Sequence, residues 1–408
     1  MHKDHLIIND PVYGFINIPR GLLCHIIEHP WFQRLGRIRQ LGMASIVYPG
    51  AQHTRKQHSL GAFYLMQEAL DGLSEKGHFI FDSEVEAAEA AILLHDIGHG
   101  PYSHVLESVF IQGVTHEEIS LAMMKVMNEE LRGGLSLAIN IYKGEYPKSF
   151  LRALICSQLD VDRLDYLCRD SFYTGVAEGN IGAARIIHML DMVDDRLVVR
   201  AKGIYSVENY LMARRLMYWQ VYLHKTAVGA EFILRSALRR AKYLVSNGVQ
   251  LFATPSLYYF LSHDIQGKDF FGSPRSLEEY ANLDDSDIIV SLKNWMKHPD
   301  KVLSLLSTAF INRILFNTEI FEGELPAGLL EEYRERTASK YGLSYDETEY
   351  FVSTKIIKKE MYTTTSAGIG LVFPNGEVKD ISTVSNLVKS ENKDLVDSKM
   401  YVFSPSFV

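Results

Sequence analysis

The stretch His95-Asp96-Ile97-Gly98-His99-Gly100-Pro101, at the end of an alanine-rich apolar run, decides how the rest of this 408-residue chain is read. It sets an imidazole and a carboxylate side by side, a pairing suited to a divalent cation of borderline hardness. His99 lies about one helical turn beyond His95, so it points into the same space without having to ligate. Gly98, Gly100 and Pro101 then break the helix and leave the pair at an end that a substrate can reach. A His-Asp dipeptide by itself is common and mostly structural, so the case for a metal needs partners elsewhere in the chain.

Working outward, Ser83-Glu84-Val85-Glu86 has the pattern of a capping box for the helix that carries this motif. Ala87, Ala88, Ala90 and Ala91 would let that helix pack closely in a buried position. Upstream, Thr54 to Ser59 lead into a helix running to about Leu73, with Arg55 and His58 on one face. Downstream, a helix after Pro101 carries His104 and Glu107, and Thr115 is an N-cap for a helix that opens with His116-Glu117-Glu118. The run Asp160-Val161-Asp162-Arg163-Leu164-Asp165-Tyr166-Leu167-Cys168-Arg169-Asp170 puts Asp162, Tyr166 and Asp170 on one helical stripe. So many acids on a half-apolar helix require a cation or arginine partners.

Around this centre the chain is expected to be mainly α. Residues 5–18, with Asp10-Pro11 and Gly14, suggest a short hairpin. From Pro19 to about Leu41 the pattern is helical, and Arg34, Arg37, Arg39, Arg55 and Lys56 mark where a basic pocket could form. Residues 192–201 suggest a second hairpin, turning at Asp194-Asp195. One long helix is then expected from about Ser206 to Val245, with Arg214, Tyr218 and Tyr222 on one stripe. Further helices run to roughly residue 315, with a loop around Gly267–Pro274. Residues 350–380 are β-rich, with a hairpin signal at Asn375-Gly376. Two domains follow: a helical core over residues 1–315 and a smaller α+β C-terminal lobe over residues 316–408.

A hydrophobic content of 47% and a charged content of 23% are ordinary for a soluble globular protein. The net charge of -8 argues against a surface coated for nucleic acid or anionic membrane, though not against a local basic pocket. The three cysteines, Cys24, Cys156 and Cys168, lack CxxC spacing and fit buried thiols in a reducing compartment. No signal-peptide core opens the chain and no apolar run reaches membrane-spanning length, so no membrane partner and a cytoplasmic location are expected.

His58, His95, Asp96 and Asp162 together make two imidazoles and two carboxylates, a set suited to zinc, iron or manganese. Three motifs carry them: Arg55-x-x-His58-Ser59, His95-Asp96-x-Gly98-His99-Gly100-Pro101-x-Ser103-His104, and Asp160-Val161-Asp162-Arg163-x-Asp165-Tyr166. These resemble the HD superfamily of metal phosphohydrolases. More closely, they look like its deoxynucleoside triphosphate triphosphohydrolase branch, which includes the SAM-and-HD-domain enzyme of animals. The resemblance runs from about Asn9-Asp10-Pro11 to His224-Lys225 and implies an HD-type helical core.

It further implies that His58, His95, Asp96 and Asp162 hold one divalent ion (Zn, Fe, Mn or Mg), with a second Mg accompanying the nucleotide. His99, Glu107 and His116 match an acid–base group beside the metal. Glu107 stands where the family usually has Asp, a longer carboxylate that can still orient an imidazole. Arg55, His104, Arg163 and Arg214 match positions that hold a triphosphate, and Gln40, Leu41, Tyr166, Asp170 and Tyr222 match those around the sugar. The chemistry agrees in kind. A triphosphate with about four negative charges needs guanidinium forks and a cation. Tyr222 against the sugar would leave no room for a 2′-hydroxyl.

The implied reaction is attack at the α-phosphorus of a dNTP, giving deoxynucleoside and inorganic triphosphate. His116 or His99, oriented by Glu107, would protonate the leaving 5′-oxygen. Arg214→Ala is expected mainly to raise KM. The resemblance also implies a homo-oligomer, dimer or tetramer, and a nucleotide activator at a subunit interface. Where the animal enzyme uses a Lys and an Arg for that activator, this chain has Leu6 and Gly36, with Arg37 and Arg39 close by. Two other functions fit the same residues. One is hydrolysis of a nucleoside monophosphate or signalling nucleotide. The other is nucleotide sensing or single-strand nucleic-acid binding with little catalysis. Arg163, Tyr166, Arg214 and Tyr222 weigh against the first, because a monophosphate needs fewer clamps. The acid–base set and the acidic net charge weigh against the second.

Overall fold

A hairpin opens the chain because Asp10 builds its turn. Asp10 Oδ1 accepts the Val12 and Tyr13 N–H groups at 2.9 and 3.0 Å, and Gly14 supplies the positive φ of 79° that closes it. Strands His5–Asp10 and Gly14–Pro19 pair antiparallel from His5 opposite Pro19 to Asp10 opposite Gly14. In this computed structural model the described residues are 5–359, 362, 368–388 and 397–407. They are 59% helical, with small sheets set among the helices.

Three helices position the site. Arg55–Glu75 starts at Thr54, whose N–H donates to the Gln57 side chain at 2.8 Å. Asp82–Leu94 is the alanine-rich helix; Ala87, Ala88, Ala90 and Ala91 are all buried against its neighbours. Val161–Thr174 is N-capped by Asp160, which accepts the Arg163 N–H at 2.7 Å. The first packs against both others. Gly61 allows this closeness, since a Cβ there would overlap the Arg169–Asp165 ion pair of the facing helix. Asp82–Leu94 begins two residues earlier than its capping signature suggests. Glu84 turns back to accept the Phe81 N–H at 2.9 Å, and Ser83 lies inside the helix.

The expected long helix from Ser206 to Val245 is instead two. Ile204–Met217 runs into a wide turn at Tyr218–Tyr222, and helix Lys225–Ser246 restarts after His224. Neither Gly nor Pro marks the break. It is held by tertiary contacts: Tyr222 OH donates to Asp170 at 2.7 Å, Tyr401 OH donates to the Leu223 carbonyl at 2.9 Å, and the His224 ring caps the new helix. The expected loop around Gly267–Pro274 holds a short helix, Gly267–Gly272, with Pro274 opening the next one.

The hairpin at Leu190–Val193 and Arg196–Arg200 turns through Asp194 and Asp195, both with positive φ. Strand Gly370–Val372 pairs parallel with Arg196–Arg200, and Val378–Asp380 pairs with it across the Asn375-Gly376 turn, giving a four-stranded sheet. A three-stranded sheet, with Asp397–Ser404 between Asn317–Phe321 and Ser353–Lys359, packs Ile357, Tyr401 and Phe403 on Val228 and Phe232. The three cysteines are free; Cys24 and Cys168 are half-buried, while Cys156 is exposed rather than buried as expected. Among the described residues, no helix is long and apolar enough to cross a membrane.

Candidate metal centre

His58 comes from the first turn of Arg55–Glu75, His95 and Asp96 from the end of Asp82–Leu94, and Asp162 from the first turn of Val161–Thr174. The three elements converge. His58 Nε2 lies 3.3 Å from His95 Nε2 and 3.1 Å from Asp162 Oδ1, and His95 Nε2 lies 3.5 Å from the same oxygen. Asp96 Oδ1 is 3.4 Å from His95 Nε2, and its Oδ2 is 3.8 Å from His58 Nε2.

Donor atoms sharing one ion at about 2.1 Å stand roughly 3.0–3.4 Å apart, and most of these separations match that spacing. The outer ring nitrogens sharpen the fit. His95 Nδ1 donates to the Ile92 carbonyl at 2.7 Å and His58 Nδ1 donates to Asp165 at 2.7 Å. Both Nε2 lone pairs are thereby turned to one point, the arrangement by which second partners orient metal-ligating imidazoles. Asp165 in turn takes Arg169 through two contacts of 3.0 Å, and Arg169 reaches Asp10 at 2.8 Å. The whole chain from Asp10 to His58 is buried.

The electrostatics point the same way. Burial works against the His58 imidazolium, but hydrogen bonds to Asp162 and Asp165 outweigh it and raise the group to about 10. Burial likewise works against the Asp162 carboxylate, yet His58 and His95 hold it below the usual range. The carboxylates of Asp96, Asp162 and Asp165 therefore favour positive charge at this point, which a divalent cation would supply on displacing the proton.

Beside this cluster, the His99 and His116 rings stack at 3.8 Å and 21°. Glu107 Oε1 is 3.7 Å from His116 Nδ1, and Glu117 Oε1 is 3.2 Å from its Nε2. His99 Nε2 lies 3.4 Å from Asp96. Burial and the neighbouring Arg55 guanidinium push the His99 pKa well down. Thr115 does cap the helix of His116, in a reciprocal box with Glu118. Gly98 lets the His-Asp turn sit against that helix, because a Cβ would overlap the His116 carbonyl and the Ser120 amide.

A cavity of 680 Å³ opens from the centre. Gln40, Leu41, Arg55, Arg163, Tyr166, Asp170 and Tyr222 all line it, as do His95, Asp96, His99, His116 and Asp162. Arg55 Nη1 donates to Asp96 at 2.6 Å, and Arg163 Nε donates to the Ser157 carbonyl at 2.8 Å. Arg214 is turned to the Gln158 carbonyl and side chain, each at 3.4 Å, and to the Tyr210 ring. The side chain of His104 lies outside the described residues. Of the basic cluster, Arg39 and Arg55 line the cavity. Arg34 is buried and donates to the Leu283 and Ile97 carbonyls, Arg37 pairs with Asp284, and Lys56 donates to Gln33.

Asp10, His53, Asp165 and Arg169 were not assigned to this centre from the sequence. The Asp165–Arg169 spacing of four was a usable signal for an ion pair on one helix face. His53, in the loop before a helix, carries no periodicity.

A family model described as HD domain matches residues 55–170, and one described as HD associated region matches residues 181–250. Among curated proteins, the chain is 34% identical to the uncharacterized protein YwfO of Bacillus subtilis, over 98% of this chain and 92% of that one. It is 31% identical to the human deoxynucleoside triphosphate triphosphohydrolase SAMHD1 over 59% of this chain, and the match spans 45% of that enzyme. Among solved structures, a phosphohydrolase from Bacteroides thetaiotaomicron is 56% identical with a TM-score of 0.96, covering 99% of this chain and 100% of the other. Because that likeness extends from end to end, with an HD segment folded around His95 and Asp96, this chain belongs to the HD-domain phosphohydrolases.

Proposed function

We propose that the chain is a metal-dependent dNTP triphosphohydrolase, converting a dNTP to deoxynucleoside and inorganic triphosphate. The observation that carries this is a single cavity, 680 Å³ in volume, lined at once by His95, Asp96 and Asp162, by Arg55 and Arg163, and by Tyr166, Asp170 and Tyr222. Likeness to the human triphosphohydrolase across the HD region supports the choice of substrate.

Held by His58, His95, Asp96 and Asp162, one divalent ion (Zn, Fe, Mn or Mg) supplies positive charge and Lewis acidity toward phosphate oxygens. Arg55 and Arg163 bind the phosphate chain through guanidinium forks, with Arg39 at the rim and a second Mg accompanying the nucleotide. His116, with the Glu107 carboxylate 3.7 Å from its Nδ1, delivers the proton to the departing 5′-oxygen. His99, held neutral by burial and Arg55, stacks on His116 and fixes its plane. Tyr222, tied to Asp170, presents its ring to the sugar and leaves a 2′-hydroxyl no space.

We extend this to a catalytic core over residues 1–315 with a smaller α+β lobe over residues 316–408. We also extend it to a cytoplasmic homo-oligomer with a nucleotide activator at a subunit interface, on the strength of the family resemblance. Chromatography of the products from each dNTP and NTP, with Mg, Mn and Fe in turn, tests the reaction. Triphosphate and deoxynucleoside from the deoxy substrates are expected. Release of orthophosphate or pyrophosphate overturns the proposal.

A further inference from the structure

We infer that His53 is a positioning residue for sugar recognition: it fixes Asp170 where that carboxylate accepts a hydrogen bond from a nucleotide's sugar hydroxyl. The inference deepens the nucleotide reading proposed above and rests on it. His53 is 1% exposed, and its ring stacks on Tyr173 at 4.5 Å and 18°. Its Nε2 lies 2.7 Å from Asp170 Oδ1. An ionised carboxylate only accepts, so Nε2 carries the hydrogen; Nδ1 is buried with no hydrogen-bond partner.

Tyr222 OH donates to the other oxygen, Oδ2, at 2.7 Å. Asp170 is therefore clamped from two separate elements, and each oxygen retains a lone pair for a further donor. Asp170 lines the cavity beside Tyr166 and Tyr222. A carboxylate there repels phosphate and suits a donor, and a deoxynucleotide offers its 3′-hydroxyl. The main chain of His53 makes a second link. Its carbonyl accepts the Gln40 N–H at 3.0 Å. Gln40 lines the same cavity, and its buried Oε1 has no hydrogen-bond partner. One residue thus holds two acceptors toward the same space.

The test compares the parent, His53→Phe and His53→Gln on each dNTP and on its 2′,3′-dideoxy analogue, with bound metal and melting temperature measured alongside. Phe retains the stack on Tyr173 and removes the donor, whereas Gln places an N–H near the position of Nε2. Loss of a well-placed hydrogen bond predicts a fall of roughly tenfold in kcat/KM for His53→Phe on the dNTP, mostly through KM. The dideoxy analogue should show no such fall, and His53→Gln should recover most of the loss. If His53→Phe does not fold, His53→Asn, too short to reach Asp170, makes the same comparison. Equal losses on both substrates overturn the inference and leave the nucleotide reading standing. A folded, metal-loaded parent that neither binds nor hydrolyses any dNTP overturns that reading, and the inference with it.

Discussion

A neutral imidazole has one lone pair, and the partner of its other nitrogen decides where that lone pair points. At His58 and His95 those partners are Asp165 and the Ile92 carbonyl, and the two lone pairs meet beside Asp162. Asp162→Ala is accordingly expected to lose bound metal and turnover together; a variant that retains stoichiometric metal contradicts the ligand assignment. Glu89 offers a check remote from the centre. Burial lifts its carboxyl to about 7, and Asp71 and Glu86 add to the shift. The folded chain holds that proton more tightly than the unfolded chain, so its contribution is intact at acid pH and fades as pH climbs toward 7. The shift amounts to about 3 kcal/mol. Glu89→Gln should melt higher than the parent near pH 8 and match it near pH 4, below the unfolded value, and a gap that does not change with pH would refute this. The side chains that converge here were legible, because His95-Asp96 is contiguous and Asp162 sits in an acid-rich motif. Their partners were not: a buried hydrogen bond between residues 107 positions apart leaves no periodic trace.

Elements pack as they do here because small residues let them approach. Gly61 makes room for the Arg169–Asp165 pair, and Gly98 seats the His-Asp turn on the helix of His116. Through the first of these contacts the N-terminal hairpin is tied to the centre, since Asp10 both shapes the hairpin turn and anchors Arg169. Lys in place of Arg169 retains the charge and loses the fork that engages two carboxylates. Arg169→Lys should therefore weaken metal binding by about 10–100-fold, as read by chelator competition on folded protein. Unchanged affinity would reduce the chain of contacts to packing alone. The capping signal at Thr115 was read correctly because it is local. The break at Leu223–His224 was illegible for the opposite reason: Tyr401, far along the chain, holds it.

At the scale of the molecule, the hairpins at residues 190–200 and 370–380 were each readable from turn residues, but their joining into one sheet was not. Turn chemistry fixes a hairpin, whereas pairing between remote strands depends on what the helices leave uncovered. The same holds for the cavity, whose walls come from segments between Arg39 and Glu231. Under the proposed function, water attacks the α-phosphorus of a dNTP there and the 5′-oxygen leaves. Turnover in oxygen-18 water, with mass analysis of both products, tests it most directly. The label should appear in inorganic triphosphate and be absent from the deoxynucleoside; label in the deoxynucleoside, or in released orthophosphate or pyrophosphate, would contradict it.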